Sequence, residues 1–556
     1  MQLPNRPSWL PLFHAITAIL IIMALPMVAR GQGWEWASSG GGLPELDGAR
    51  GVAVDGAGNY YVTGYFSGNA TISGTSLESR GGTDVFIASY TPDGTPRWVK
   101  RAGSARDDYG MGITVDQGGN IYFTGMCGDS ADFEDSVIVA REPGGTIYYI
   151  VSYRADLTVR WTQKIDGASG FPMGISVNNS GHLAVTGYGR RAQFTDDVAL
   201  LMIATDIFTA VYTTGGAFQW ARGITANALT EGIREGRSVV IDDQNNVFIT
   251  GYIANGARFD ETTVFFAEGI ANLFVARYDA GGTFRWVWKA GGPNYDVGAG
   301  IALNDAGELY VTGYYQGPIV VAPGDTLPAE NFLGDIFLAR LDTGGALVWA
   351  RTATGRGRDE ASGISIAPNG DLVIGGLFSA TTTFGADSIT SAGSSDLFIA
   401  RYRTNGDFVG VIGGGGPGED FGYGVAAGSG GAACVVGSFQ ESATFGSTTL
   451  NSQGGTDIAV AGGRVAAGDV DPIPASSDIQ ISIRASHLVI DNRADRSLHG
   501  RLRVVNTIGE ALYEKEMIVE TGRLRVDLDH LPAGCYLVAL DCGFDRHYHR
   551  LLVKRD

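Results

Sequence analysis

Acid and base chemistry in this chain would have to come from carboxylates. Of seven histidines, His14 lies in the first apolar stretch and His487, His499, His530, His547 and His549 lie near the C-terminus, leaving His182 alone in the long middle. A Ser-His-Asp triad or a multi-His metal centre is hard to assemble from that. The aspartates are better placed. A Gly, once replaced by Ser238, opens a recurring apolar run, and four positions before it stand Asp47, Asp108, Gly170, Arg234, Asp296, Asp359 and Asp420. Five carboxylates around one opening, with Arg234 beside the gap at Gly170, would focus negative potential and raise one another's pKa values. That suits a cation or a cationic ligand. A pair of them, Asp359 with Asp296 or Asp420, would suit general acid and base attack on a glycosidic bond. The plainer alternative is that each Asp caps its own turn by accepting backbone N–H groups. No residue is assigned a catalytic role on this pattern, and no metal or cofactor is expected.

These aspartates recur because the chain itself does. The phrase from Gly51 to Gly64, an apolar run, a Gly and Asn turn and a second apolar run closed by Thr-Gly, returns ending at Gly125, Gly187, Gly251, Gly313, Gly376 and Ser438. The steps are 61, 62, 64, 62, 63 and 62 residues. Such regularity marks a repeat architecture. Each unit holds four strand-like runs, typified by Gly51 to Asp55, Tyr60 to Phe66, Asp84 to Tyr90 and Arg97 to Lys100. Fourth runs recur at Trp161, Trp220, Trp286 and Trp349, with Phe408 in the sixth unit. The seventh unit stops after Asp457 to Ala461, and its missing Trp strand stands at the front of the chain, around Trp36. A strand from the N-terminus that completes the last sheet closes a ring and removes open edges. The expected fold is all-β, a seven-bladed β-propeller over 32–464 whose N-terminal strand completes blade seven.

The connections from one blade's outer strand to the next blade's inner strand, which carry the aspartates, should surround one mouth of the channel. Long second-to-third connections such as 131–148, 192–204, 257–270 and 319–333 open on the same face, where loops vary on a rigid scaffold. Trp288 offers either a sugar-stacking platform or packing at a blade edge. The sequence places Asp47, Asp108, Asp296, Asp359, Asp420 and Arg234 as a candidate ligand ring at that mouth.

Residues 1–31 read as a signal peptide: an apolar run from Leu10 to about Met27 ends in Ala29-Arg30-Gly31, small residues where signal peptidase cuts, so that Gln32 starts the mature chain. No later segment is long and apolar enough to span a bilayer as a helix. Formal charge is -19, which disfavours phosphate backbones and so nucleic acid. Cys127, Cys434, Cys535 and Cys542 form no metal knuckle, and no disulfide is expected among them. A linker with Pro472 and Pro474 spans 465–475, and the short alternating strands of 476–556 predict a small Ig-like β-sandwich.

Two resemblances follow from particular residues. The run Asp108 to Gly125, with Asp335-Ile336-Phe337-Leu338-Ala339-Arg340 and Trp349, resembles the SBBP-type β-propeller repeats of bacterial surface and secreted proteins. Asn506-Thr507-Ile508-Gly509-Glu510, Leu531-Pro532-Ala533-Gly534-Cys535-Tyr536 and the terminal Leu552-Val553-Lys554-Arg555 resemble the C-terminal sorting domain of type IX secretion substrates, although the Pro-Asn-Pro-like opening of that family is absent near 476–479. The resemblance marks Gly509, Leu531, Pro532, Ala533, Gly534, Tyr536 and Lys554 as sorting-motif residues. It implies the type IX machinery as partner and a place outside the cell or on the outer-membrane surface. Together these point to a binding or adhesion propeller for an extracellular protein or glycan. A polysaccharide hydrolase or lyase using paired carboxylates and a purely structural surface component are the alternatives, and fold alone does not choose between them.

Overall fold

The computed structural model describes residues 32–465, apart from 44–45, 129, 134–135, 141–144 and 227–231, together with most of the strands between 479 and 553. The predicted signal peptide and the linker lie outside the described residues. Every regular element among the described residues is a β-strand. In the first repeat, Gly48–Val54, Tyr60–Ile72, Thr75–Tyr90 and Pro96–Ala102 pair antiparallel in chain order. The later repeats follow the same meander, through Glu360–Ile366, Leu372–Phe378, Asp396–Tyr402 and Phe408–Gly414 in the sixth.

The seventh repeat is completed from the far end of the chain. Phe421–Ala427, Ala432–Phe439 and Asp457–Arg464 pair in order, and Gly33–Leu43 pairs with the last of them, Trp36 opposite Gly462. The second half of this N-terminal strand also pairs with the first repeat, Gly40 opposite Ile72. One phrase boundary shifts: Gly437 holds the register that Gly64 and Gly376 hold, so the seventh phrase ends one residue before Ser438.

The first strands of the repeats touch one another in a closed order. Gly48–Val54 lies beside Tyr109–Val115, then come Phe171–Val177, Arg234–Ile241, Asp296–Leu303, Glu360–Ile366 and Phe421–Ala427, which returns to Gly48–Val54. Four-stranded meanders set around such a cycle of inner strands make a β-propeller. The opening Gly, present in six of the seven phrases, permits this packing. A Cβ on Gly51 would sit 2.7 Å from the Met111 carbonyl, so a larger residue would push neighbouring inner strands apart. Each inner strand also carries one bulge, at Arg50, Met111, Met173, Arg237, Ala299, Ser362 and Tyr423 in turn. A bulge re-aims the side chain it frees.

The Thr-Gly phrase is a packing pair. Thr63 Oγ1 donates to the Phe86 carbonyl at 3.0 Å, and Gly64 leaves room for the Phe86 ring, which is fully buried. Thr124, Thr186, Thr250 and Thr312 repeat the bond to the third strand.

Outer-strand tryptophans fasten five of the seven sheets to the next one round. Trp220 donates its indole N–H to Ala280 O at 2.9 Å and lies on Gly282, whose φ of +74 turns the next sheet's third strand into its fourth. Trp36 on Gly94, Trp161 on Gly216, Trp286 on Gly345 and Trp349 on Gly406 do the same, each donating to a carbonyl of that turn. The sixth repeat has Phe408 because no turn awaits it. The third and fourth strands beyond it come from opposite ends of the chain, so they share neither turn carbonyl nor glycine.

C-terminal to this, Ile479–Arg484, His487–Asn492 and Gly522–Asp527 form one sheet, and Ala511–Val519, Leu498–Asn506, Gly534–Cys542 and Asp545–Val553 a second. Of the sorting motif, Gly534 and Tyr536 begin the strand Gly534–Cys542, while Gly509, Leu531, Pro532, Ala533 and Lys554 lie outside the described residues. Cys127 and Cys434 are buried.

The Trp latch gives a direct test. Trp220→Ala removes a buried indole and leaves a cavity between sheets, and should lower unfolding stability by about 3–5 kcal/mol. The urea midpoint by tryptophan-independent circular dichroism measures it.

Candidate functional site

The sequence-predicted aspartates come together with unexpected partners. Asp47, Asp108, Asp296, Asp359 and Asp420 are at most 1% exposed, so they sit within the wall and not on a solvent-facing rim. The connections that carry them are short, and each carboxylate is drawn in to satisfy donors on both sides of the junction, two backbone N–H groups at four of them and one N–H with a hydroxyl at Asp359. Asp420 accepts from Gly416 N at 2.7 Å, where the previous outer strand exits, and from Gln440 N at 3.1 Å, at the end of its own second strand. Asp296 does this with Gly292 and Gln316, Asp108 with Ser104 and Gly128, and Asp47 with Gly42 and Ser67. Asp359 takes Ser379 N and the Thr382 hydroxyl.

Each also faces the residue that opens the previous repeat's third strand. At the sixth-to-seventh junction a Cβ on Gly415 would lie 2.6 Å from Asp420 Oδ2 and 2.7 Å from the Asp396 carboxyl carbon, so only glycine leaves room for both acids. Asp84 acts on Asp108 in the same way, Asp335 on Asp359 and Asp457 on Asp47. Burial, opposed in part by the backbone bonds and reinforced by the second acid, raises Asp47, Asp108, Asp359 and Asp420 to about 7. Three junctions are solved differently. Arg234, fully buried, ion-pairs with Asp206 at 3.1 Å and donates to Gly256 O. Asn272 donates to Asp296 at 3.2 Å, and burial alone lifts that acid to about 6. At Gly170 there is no carboxylate, and the Tyr148 hydroxyl reaches the Ala168 carbonyl. Asp296, Asp359 and Asp420 therefore face their own junction partners and not one another.

A different set of residues lines the mouth. Where the inner strands begin, aromatic and charged side chains, most of them half-buried and Tyr252 buried, follow one another in a belt around the opening. Tyr65 lies 5.0 Å from Tyr109 between ring centroids, Tyr109 5.7 Å from Phe171, and Phe171 6.1 Å from Tyr188. Glu235 and Arg237 come next, ion-paired at 3.0 Å, with the guanidinium 5.5 Å from the Tyr252 ring. Tyr252 meets Tyr295 at 5.3 Å, and Tyr314 continues to Arg358, whose ion pair with Glu360 is 2.6 Å. Arg358 approaches Phe421, Phe421 stacks near Tyr423, and Arg50 lies 3.9 Å over Tyr423 and 5.5 Å from Tyr65, closing the circuit. Three of these residues, Arg50, Arg237 and Tyr423, are the bulge residues of their strands.

Such a belt offers aromatic faces and edges, phenol hydroxyls and guanidinium forks, which recognise sugars, planar groups and anions. Its signal was legible in the residue after Thr-Gly, which is Tyr65, Tyr188, Tyr252 and Tyr314 in four repeats. Trp288 packs instead: it is 8% exposed and donates to Val321 O. A cavity of about 370 Å³ at the opposite end of the fourth and fifth repeats is lined by Asp242, Gln244, Asn246, Arg277 and Asp305, but Asp242 is spent on its own turn. Among the described residues no cluster of three or more His, Cys, Asp or Glu could hold a metal ion.

Comparison with known proteins bears on both parts of the chain. Residues 469–554 match the family of secretion system C-terminal sorting domains. Over 400 residues the chain is 25% identical to an uncharacterized WD repeat-containing protein, L264, of Acanthamoeba polyphaga mimivirus; the match covers 64% of this chain and 26% of that protein. The chain thus spans about a quarter of the length of this relative. A chain in the crystal structure of the mitotic checkpoint complex aligns over 84% of this chain and 100% of its own length, with 10% identity and a TM-score of 0.38.

The junction acids carry a pH test. Asp420 holds its proton up to about 7 when folded, against about 3.9 in an unfolded chain, so the folded state binds the extra proton and stability declines as pH rises from about 4 to about 7. Asp396→Asn copies the Asn272 junction of this same chain. It should raise the denaturation midpoint at pH 8, by about 1–2 kcal/mol, leave it little changed at pH 5, and flatten that part of the pH profile.

Proposed function

We propose that the protein is a seven-bladed β-propeller of the SBBP-repeat type that works outside the bacterial cell as a binding module, exported by the type IX route through its C-terminal domain. The belt of half-buried aromatic and arginine side chains around the mouth carries this reading. Side chains that only filled a core would be hidden. Here Tyr65, Tyr109, Phe171, Tyr188 and Tyr423 keep part of their surface in water at one opening.

In this reading Asp47, Asp108, Asp296, Asp359, Asp420 and Arg234 serve the ligand indirectly, by fixing the start of each inner strand from behind. Their carboxylates are engaged by backbone N–H groups and junction partners, which favours binding over attack on a glycosidic bond by the pair Asp359 with Asp296 or Asp420. The same face carries exposed apolar side chains from the second-to-third connections, Leu201, Phe266 and Phe332 among them. These favour contact with a partner or a surface, as a binding or adhesion protein requires. The sorting domain supports type IX export and a secreted or surface location. Its two sheets suit a small sandwich.

Two results are expected. Removing residues 469–556 should leave the protein inside the cell envelope, where fractionation and protease shaving of whole cells will find it, while the full chain reaches the medium or the cell surface. Presented with extracellular polysaccharides, the protein should be retained without releasing new reducing ends, and Tyr109→Ala with Phe171→Ala should weaken retention at least tenfold with little change in unfolding midpoint. New reducing ends would make it an enzyme and overturn the reading.

A further inference from the structure

The belt holds three guanidinium groups, and they are not equivalent. Arg237 is paired with Glu235 at 3.0 Å and Arg358 with Glu360 at 2.6 Å. Arg50 is paired with no carboxylate among the described residues. It rests flat on aromatic surface, 3.9 Å over Tyr423, with one N–H reaching the Tyr65 hydroxyl at 3.4 Å. Its Nε is buried with no hydrogen-bond partner. A guanidinium fork is shaped for two parallel bonds to a carboxylate, and those bonds are strongest where water is scarce. Here the fork is held in place by ring contacts, and the bond to Tyr65 is the one hydrogen bond it makes among the described residues.

Beside it lie the faces and edges that a sugar ring would meet, Tyr109 and Phe171, 5.7 Å apart. The whole chain bears a formal charge of -19, so a long polyanion is repelled by the surface at large. A short anionic chain end that enters the mouth meets a local cation instead. From this juxtaposition we infer that the mouth binds a uronic-acid residue of an extracellular glycan, its carboxylate on the Arg50 fork and its ring against Tyr109 and Phe171. This inference rests on the binding reading and narrows it to a ligand class.

The test uses the full purified chain and oligomers of galacturonate, glucuronate and mannuronate, each also as its methyl ester, which keeps the ring and removes the charge. Calorimetry should find one acid series binding at least tenfold more tightly than its ester, with affinity falling as salt rises. Arg50→Gln should bring the acid down to the affinity of the ester and leave the ester unchanged, with an unaltered unfolding midpoint. Phe171→Ala should weaken both. If an acid and its ester bind alike, or Arg50→Gln leaves acid binding intact, the uronate assignment fails while mouth binding stands, since Phe171→Ala still reports on it. If no acid or ester binds the unmodified chain, the uronate assignment is overturned, and retention on neutral polysaccharides decides the wider reading separately.

Discussion

The structure depends on fastening sheets to one another from outside, which it does with an indole at five of its seven steps. An outer-strand indole donates its N–H to a turn of the following sheet and lies on the glycine of that turn, and the bond recurs at Trp36, Trp161, Trp220, Trp286 and Trp349. Toward the axis the inner strands already touch backbone to backbone through glycines such as Gly51 and Gly112. A sheet wedge held at its narrow edge alone would swing. The indole holds the wide edge, and the two contacts together set the angle between neighbours. That angle decides where the mouth residues sit, because Tyr109 and Phe171 belong to different sheets and meet only if those sheets are correctly inclined.

Between these two fastenings lie the junction acids, and the chain uses several electrostatic solutions for one structural problem. Two backbone N–H groups must be satisfied where the chain crosses between sheets, and a carboxylate does this well. Where the preceding third strand also begins with Asp, two acids are buried together, and a proton is the cheapest compensation. The Asp206–Arg234 junction replaces the proton with a permanent cation, and the Asn272–Asp296 junction with an amide donor. The ring is therefore uneven in charge despite being regular in backbone, and its sectors will answer differently to acidity.

Much of this was legible in the sequence. The period places the strands, and the absent Trp run after Asp457 with the surplus Trp run at the N-terminus places the seam. The residue spacing also picked out the aspartates as a set. Of the two readings it offered, capping of backbone N–H groups agrees with the bonds they make, whereas a ligand ring would need them to face water. A residue on a connection is usually near water, but these connections are so short that the carboxylate turns back into the wall. The belt escaped notice for the converse reason. Tyr65, Tyr188, Tyr252 and Tyr314 follow apolar runs and so read as core; Tyr252 is core, while Tyr65, Tyr188 and Tyr314 keep part of their surface in water. Arg50 is a bulge residue, and a bulge has no signature in a single chain beyond the register it disrupts.

The N-terminal strand also has a place in time. Its partner Gly462 lies more than four hundred positions downstream of Trp36, a loop closure that is slow for any chain to find at random. Yet Gly40–Leu43 of the same strand pair with Asn69–Ile72, close by in the chain. A folding chain can therefore dock the end of this strand on the first sheet early and carry along its first half, Gly33–Ser39, still unpaired. When the last repeat forms, it meets a strand already in position and needs only to zip onto it. The slow step becomes a local one, and the edge is left exposed to unwanted partners only until the final sheet arrives.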